Sequence, residues 1–94
     1  MVEKLPFEEK QLSENVFIRL FPMNVDFDEL KWHWDEEDRE FEILEGVGWW
    51  FQRDNDLPIE MKIGDIIKVS KGEWHRAIKD KNTNNDLVIK LTKF

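Results

Sequence analysis

Ninety-four residues with no cysteine and a formal net charge of −7 describe one small domain and exclude several classes at once. Without cysteine there is no disulfide framework and no thiolate ligand or nucleophile, and an acidic chain lacks the charge for general phosphate-backbone binding, so no nucleic-acid partner is expected. No apolar run approaches a membrane span and the Met-Val-Glu-Lys start carries no apolar leader, so the expectation is a soluble, cytoplasmic protein with no membrane partner.

A chain of this length hides roughly two-thirds of its unfolded surface on folding, which leaves one core and little to spare. Seven Phe and five Trp supply bulky material for it. The charge is uneven: residues 26–45 carry ten acids against two bases, and residues 62–93 carry eight bases against four acids. Solvated strand faces and loops account for such segregation, and so does pairing of the two segments across a sheet or a dimer.

In chain order, Leu5-Pro6-Phe7 is extended, because the residue before proline avoids the helical region, and Glu8 to Ser13 allows one helical turn at most. Val16 to Phe21 is a β-rich run closed by Pro22. Phe27 to Trp34 alternates, with Trp32 and Trp34 on one face and Lys31, His33 and Asp35 on the other. Glu36-Glu37-Asp38 is too polar for a packed strand and reads as a solvated turn. From Arg39 the alternation resumes, Arg39, Phe41 and Ile43 sharing one face. Gly46-Val47-Gly48 marks a bend or bulge.

Trp49 to Gln52 is a strand whose two tryptophans point to opposite faces, one in the core and one free to line a barrel mouth. A loop over Asp54 to Pro58 leads to Ile59-Glu60-Met61-Lys62-Ile63, a strict alternation that predicts another strand. Gly64-Asp65 turns into a strand over Ile66 to Val69, and Ser70 to Glu73 turns into a strand over Trp74 to Lys79. The polar loop Asp80 to Asp86 precedes a last strand, Leu87 to Thr92. Short strands at such spacing describe an all-β sandwich or barrel.

Two stretches now resemble a known family. His33-x-Asp35, three residues, Arg39, six residues and Gly46 match the spacing of the first cupin motif, and Gly64, five residues, Ser70-x-Gly72, two residues and His75 match the second. Ile43-Leu44-Glu45-Gly46 is close to the VLEG that commonly ends the first motif. The resemblance covers about residues 27–79 and implies a single-domain, cupin-like antiparallel jelly-roll β-barrel, with motif 1 at about 27–46 and motif 2 at about 64–79. In typical cupins two His and a Glu of the first motif and the His of the second ligate a divalent metal. Here Asp35 stands at the second His and Arg39 at the Glu; Phe27, Ser70 and Lys79 stand at the leading Gly, the Pro and the terminal Asn.

The likeness therefore leaves His33, Asp35 and His75 as a possible metal set, with the ligand types of the non-haem iron facial triad. Arg39 weighs against a metal: a guanidinium cannot coordinate, and it repels a nearby cation. It suits a pair with Asp35, or a surface pair with Glu37 or Glu42, or a bidentate hold on an anion. Two function readings follow, beside a third, a metal-free enzyme in which a His–Asp pair transfers protons as in the cupin-fold sugar-nucleotide epimerases, which this chain resembles only in fold. In the one the sequence favours, the barrel pocket holds a small anionic molecule through His33, Arg39 and His75, with Asp35 orienting one of them. In the other, a metal-dependent cupin enzyme of isomerase or dioxygenase type uses His33, Asp35 and His75, so the cofactor is either none or a divalent metal ion. Trp32 and Trp34, on the face opposite His33, are expected to bury against a second sheet or a second subunit, and a homodimer is the expected assembly.

Overall fold

The computed structural model describes residues 5–94; the leader reading made on residues 1–4 lies outside them. Eight strands follow in order: β1 (Glu8–Gln11), β2 (Val16–Phe21), β3 (Arg39–Glu45), β4 (Trp49–Arg53), β5 (Ile59–Glu60), β6 (Ile66–Val69), β7 (His75–Lys79) and β8 (Leu87–Lys93). They form a five-stranded sheet in the order β1-β2-β8-β3-β6 and a three-stranded sheet in the order β5-β4-β7. Every pairing is antiparallel. The chain is an all-β, cupin-like barrel, as the strand pattern and the motif spacing implied. Among the described residues no helix is long and apolar enough to cross a membrane.

Strand alternation builds the core. Phe41 and Ile43 of β3 stand opposite Leu91 and Ile89 of β8, and all four are buried. Trp49 and Phe51 of β4 close the interior from the smaller sheet, with Phe41 and Phe51 5.6 Å apart at their ring centroids. Trp49 is fully buried, and its indole N–H donates to the Asn85 carbonyl at 2.8 Å, which satisfies the one polar atom such a ring takes inside. Trp50 lies on the outer face, half-buried. Gly46-Val47-Gly48 forms the expected bend: Gly48 has φ +85°, and a Cβ there would sit 2.8 Å from Thr83 Cβ, so a side chain is barred twice over.

The uneven charge has its counterpart in the register. The acidic strand β3 lies between the basic β6 and β8, so that Glu40 stands opposite Lys68 and Glu42 opposite Lys90. These positions face outward, where opposed charges favour this strand order by a few tenths of a kcal/mol, roughly 0.2–1 each.

Three sequence expectations fail for identifiable reasons. Glu8 to Gln11 is a strand and not a helical turn: its exposed side chains carry no period, but its backbone pairs with β2 along its whole length, and a partner strand outweighs weak local propensity. Phe27 to Trp34 is not a continuous strand. Phe27–Glu29 forms a 3₁₀ turn closed by Glu29 N–H to Asp26 O at 3.0 Å and Leu30 N–H to Phe27 O at 3.1 Å, and only His33 makes a β-bridge. Finally, Ile59 to Ile63 pairs only over Ile59–Glu60. The chain turns at residues 62–65, held by Lys62 N–H on Asp65 Oδ2 at 3.0 Å, so Met61 is buried while Ile59 and Ile63 stay exposed.

Candidate functional site

His33 and His75 are brought together by backbone pairing. They exchange both hydrogen bonds, His33 N–H to His75 O at 3.0 Å and His75 N–H to His33 O at 2.9 Å. Residues paired in this way send their side chains off the same face of the sheet, and the two imidazoles lie 4.2 Å apart at their centroids. His75 opens β7 and is buried against the Phe51 ring, 5.6 Å away, whereas His33 is exposed at the mouth.

The acidic turn after His33 is pinned by the turn before His75. Gly72 N–H donates to Asp35 O at 2.9 Å, and Lys71 N–H donates to Asp38 Oδ1 at 2.7 Å. The second motif therefore aims its own histidine and also holds the carboxylate of the first. Asp35, which borders the acidic turn, is only 6% exposed. Its Oδ1 lies 3.1 Å from an Arg39 guanidinium nitrogen, and a second nitrogen of Arg39 lies 3.0 Å from Glu37 Oε1. Of the pairings expected for Arg39, those with Asp35 and Glu37 form together, and the guanidinium is shared between two carboxylates.

The other oxygen of Asp35 is the unusual atom. Oδ2 lies 3.3 Å from His75 Nε2 yet is buried with no hydrogen-bond partner among the described residues. The proton placement on His75 accounts for this. Its Nδ1 sits 2.8 Å from the Glu73 carbonyl; a carbonyl only accepts, so Nδ1 carries the hydrogen and the neutral ring presents a bare Nε2. Burial keeps the ring neutral by pushing its pKa below the usual imidazole value. The Glu73 carbonyl bond opposes that shift, His33 adds to it, and Asp35 and the Glu73 carboxylate oppose it. Two acceptor atoms, Nε2 and Oδ2, then stand 3.3 Å apart with no hydrogen bond between them. His33 repeats the pattern, its Nδ1 lying 2.9 Å from the Lys31 carbonyl.

The donor chemistry fits a divalent metal. One atom from each of His33, Asp35 and His75 lies within 4.8 Å of the others. Both rings offer Nε2 while a backbone carbonyl fixes Nδ1–H, the arrangement that orients metal-binding histidines. The orphaned Oδ2 completes a set of two imidazoles and a carboxylate.

All four residues singled out in the sequence, His33, Asp35, Arg39 and His75, line one cavity of about 250 Å³. Sequence reasoning missed the two carbonyls that orient the rings and most of the cavity wall, including Phe21, Met61 and Ala77. Each of these carbonyls belongs to the residue two positions before its histidine. Trp32 and Trp34 do not bury against a second sheet. They are 38% and 48% exposed, with the Arg76 guanidinium 4.6 Å from the centroid of the Trp32 ring.

No protein-family model and no curated protein sequence matches the chain. Solved structures do. A cupin-2 domain protein from Shewanella frigidimarina superposes with a TM-score of 0.65 at 14% identity, covering 100% of this chain and 85% of the other. A cupin-like protein from Thermotoga maritima gives a TM-score of 0.62 at 13% identity, covering 92% of this chain and 65% of that one. The FeII form of HppE in complex with its substrate gives 0.67 at 13% identity over 98% of this chain, which spans only 56% of that protein. Identities this low speak for architecture, and with the two-sheet topology and both motif spacings they agree on one conclusion: the chain is a small β-barrel domain of the cupin fold.

Proposed function

We propose that this chain is a metal-dependent cupin in which His33, Asp35 and His75 hold a divalent transition metal, iron(II) foremost, beside a small-molecule substrate. One observation carries the reading: the buried Asp35 Oδ2 faces the bare Nε2 of His75 at 3.3 Å with no hydrogen bond between them. Two acceptors so placed repel each other, and a shared cation removes the conflict. Two histidines and a carboxylate are the ligand types of non-haem iron(II) sites. The FeII state of a fold neighbour, HppE, agrees with that choice of metal.

Arg39 then has a positioning role. By taking Oδ1 it fixes the carboxylate and leaves Oδ2 for coordination, and Glu37 offsets the guanidinium charge that would otherwise oppose a metal. The Lys31 and Glu73 carbonyls hold the two rings, and exposed His33 leaves one side open to an incoming molecule. When bound, such a metal supplies Lewis acidity and, as iron, redox chemistry to a substrate at its open positions. The alternative, a metal-free pocket in which His33, Arg39 and His75 hold an anion, sets that anion against a guanidinium already paired with two carboxylates.

Protein purified without chelator is expected to carry a first-row divalent metal by elemental analysis, and stripped protein to take up iron(II) or zinc. Asp35→Asn removes a ligand, so metal affinity should fall by about a hundredfold or more, beyond the loss usual for outer-shell changes. Wild-type protein that stays metal-free at millimolar zinc overturns this reading and favours the anion pocket.

A further inference from the structure

Behind the three donors the two sheets enclose a cavity of about 250 Å³. Its wall is dominated by apolar side chains, among them Phe21, Phe41, Phe51, Met61, Leu87 and Leu91. The two arginines on it are already engaged: Arg39 with Asp35 and Glu37, and Arg19 with Glu9, its guanidinium 4.1 Å from the Phe7 ring centroid. The space equals about eight waters at their liquid volume of ~30 Å³ each, and apolar cavities of ~150 Å³ already admit benzene. It suits an aromatic or branched aliphatic body.

The charge at the donor end limits the ligand further. Arg39 and Glu37 cancel, and so do Lys31 and Glu29 on the same wall. A divalent metal with Asp35 leaves one net positive charge, since an imidazole ligates as the neutral ring. One anionic oxygen balances the site. A phosphoryl group brings a second negative charge and several acceptors, for which this mostly apolar wall offers little beyond the Lys31 ammonium.

Resting on the metal reading above, we infer that the site takes a compact apolar or aromatic molecule with one singly charged oxygen-donor head, as in a carboxylate, phenolate or enolate. Phosphorylated sugars and nucleotides do not fit. This narrows the class of small anion expected from the sequence to those with an apolar body.

The test uses the full chain, stripped of metal and reloaded with zinc, titrated by calorimetry with benzoate, inorganic phosphate and glucose 6-phosphate. Benzoate is expected to bind at least tenfold more tightly than either phosphate compound. Ala77 lies beside Phe51 on the same wall, its register partner on the neighbouring strand; in Ala77→Leu protein verified to hold zinc, benzoate should weaken by at least tenfold. Metal-free wild-type protein should take up toluene, seen as shifts of methyl signals from Leu87 and Leu91.

These readouts separate the two proposals. Failure of zinc to bind, with toluene still taken up, removes the metal reading and the single-charge head while leaving the apolar cavity. Zinc binding with phosphate preferred over benzoate overturns the inference alone. Folded protein that excludes toluene, or zinc-loaded Ala77→Leu that binds benzoate as wild type does, overturns the apolar cavity as the ligand site.

Discussion

Arg39→Glu tests how the buried carboxylate is balanced. In the wild type, Asp35 Oδ1 has a guanidinium nitrogen at 3.1 Å, and the same side chain reaches Glu37 at 3.0 Å. The change removes the cation shared by both and sets a third carboxylate beside them. Losing one partner of a buried pair costs about 3–5 kcal/mol. Because the Arg39 and Glu37 side chains are 13% and 28% exposed, water screens part of this, and about 2–3 kcal/mol is the working figure. For a domain of this size, ~4–8 °C per kcal/mol gives a fall in Tm of roughly 10–20 °C in chelator. Zinc should then recover most of it, since a ligand at a hundred times its Kd contributes about 2.7 kcal/mol. The new Glu stands where the resembling family keeps its fourth ligand, so zinc should stabilise the variant more than the wild type. Thermal unfolding followed by circular dichroism, with and without zinc, reads both effects. A variant as stable as wild type in chelator would refute Arg39 as the partner that balances Asp35; a destabilised variant indifferent to zinc would refute the metal as its replacement.

Two further outcomes follow from other parts of the chain. His75 has its pKa lowered by burial, so the unfolded chain binds a proton that the native state resists. The stability of metal-free protein should be full above the ordinary imidazole value of 6.5 and decline as pH falls from there towards the lowered native value. Urea midpoints at about pH 7.5 and about pH 5.5 should therefore differ by more in wild type than in His75→Gln, and equal differences would discount the burial effect. Trp32, Trp34 and Trp74 are 38–48% exposed, and hiding about 100 Å² of each in a homodimer contributes roughly 2–3 kcal/mol per residue at ~25 cal/mol per Å². Trp32→Ser with Trp34→Ser should then convert a dimer to a folded monomer in sedimentation, whereas a wild type already monomeric removes the interface.

Where the fold was legible, one strand face carried the signal. Phe41 and Ile43 alternate inward as read, and Trp49 and Phe51, and Leu87, Ile89 and Leu91, do the same, because each strand packs one side against a core. Legibility failed where the period was real but the backbone had a better local option. Phe27 to Trp34 alternates, yet the turn at Asp26 to Leu30 closes its own hydrogen bonds first. Ile59 to Ile63 alternates more strictly than any other run, yet Asp65 caps a turn that stops the pairing after Glu60. In β1 nothing periodic exists to read, since all four side chains face solvent and the strand is defined only by its neighbour.

For the site, spacing sufficed to bring His33, Asp35, Arg39 and His75 to one cavity, because a matched pair of strand–turn motifs fixes where the chain crosses itself. It could not assign the charges. Read along the sequence, Arg39 is a cation at a ligand position and argues for an anion; in three dimensions it lies between Asp35 and Glu37 and is nearly cancelled. The difference comes from Gly72 and Lys71, whose backbone N–H groups hold the acidic turn inward and bury Asp35. Burial turns one carboxylate into two separate functions, Oδ1 satisfied by the guanidinium and Oδ2 left against the bare nitrogen of His75. On the metal reading, Arg39 fixes the carboxylate that stands where the resembling family keeps its second histidine. On that argument Asp35 and Arg39 act as a unit, so the losses of stability in chelator from Asp35→Asn and Arg39→Gln should not add in the double variant.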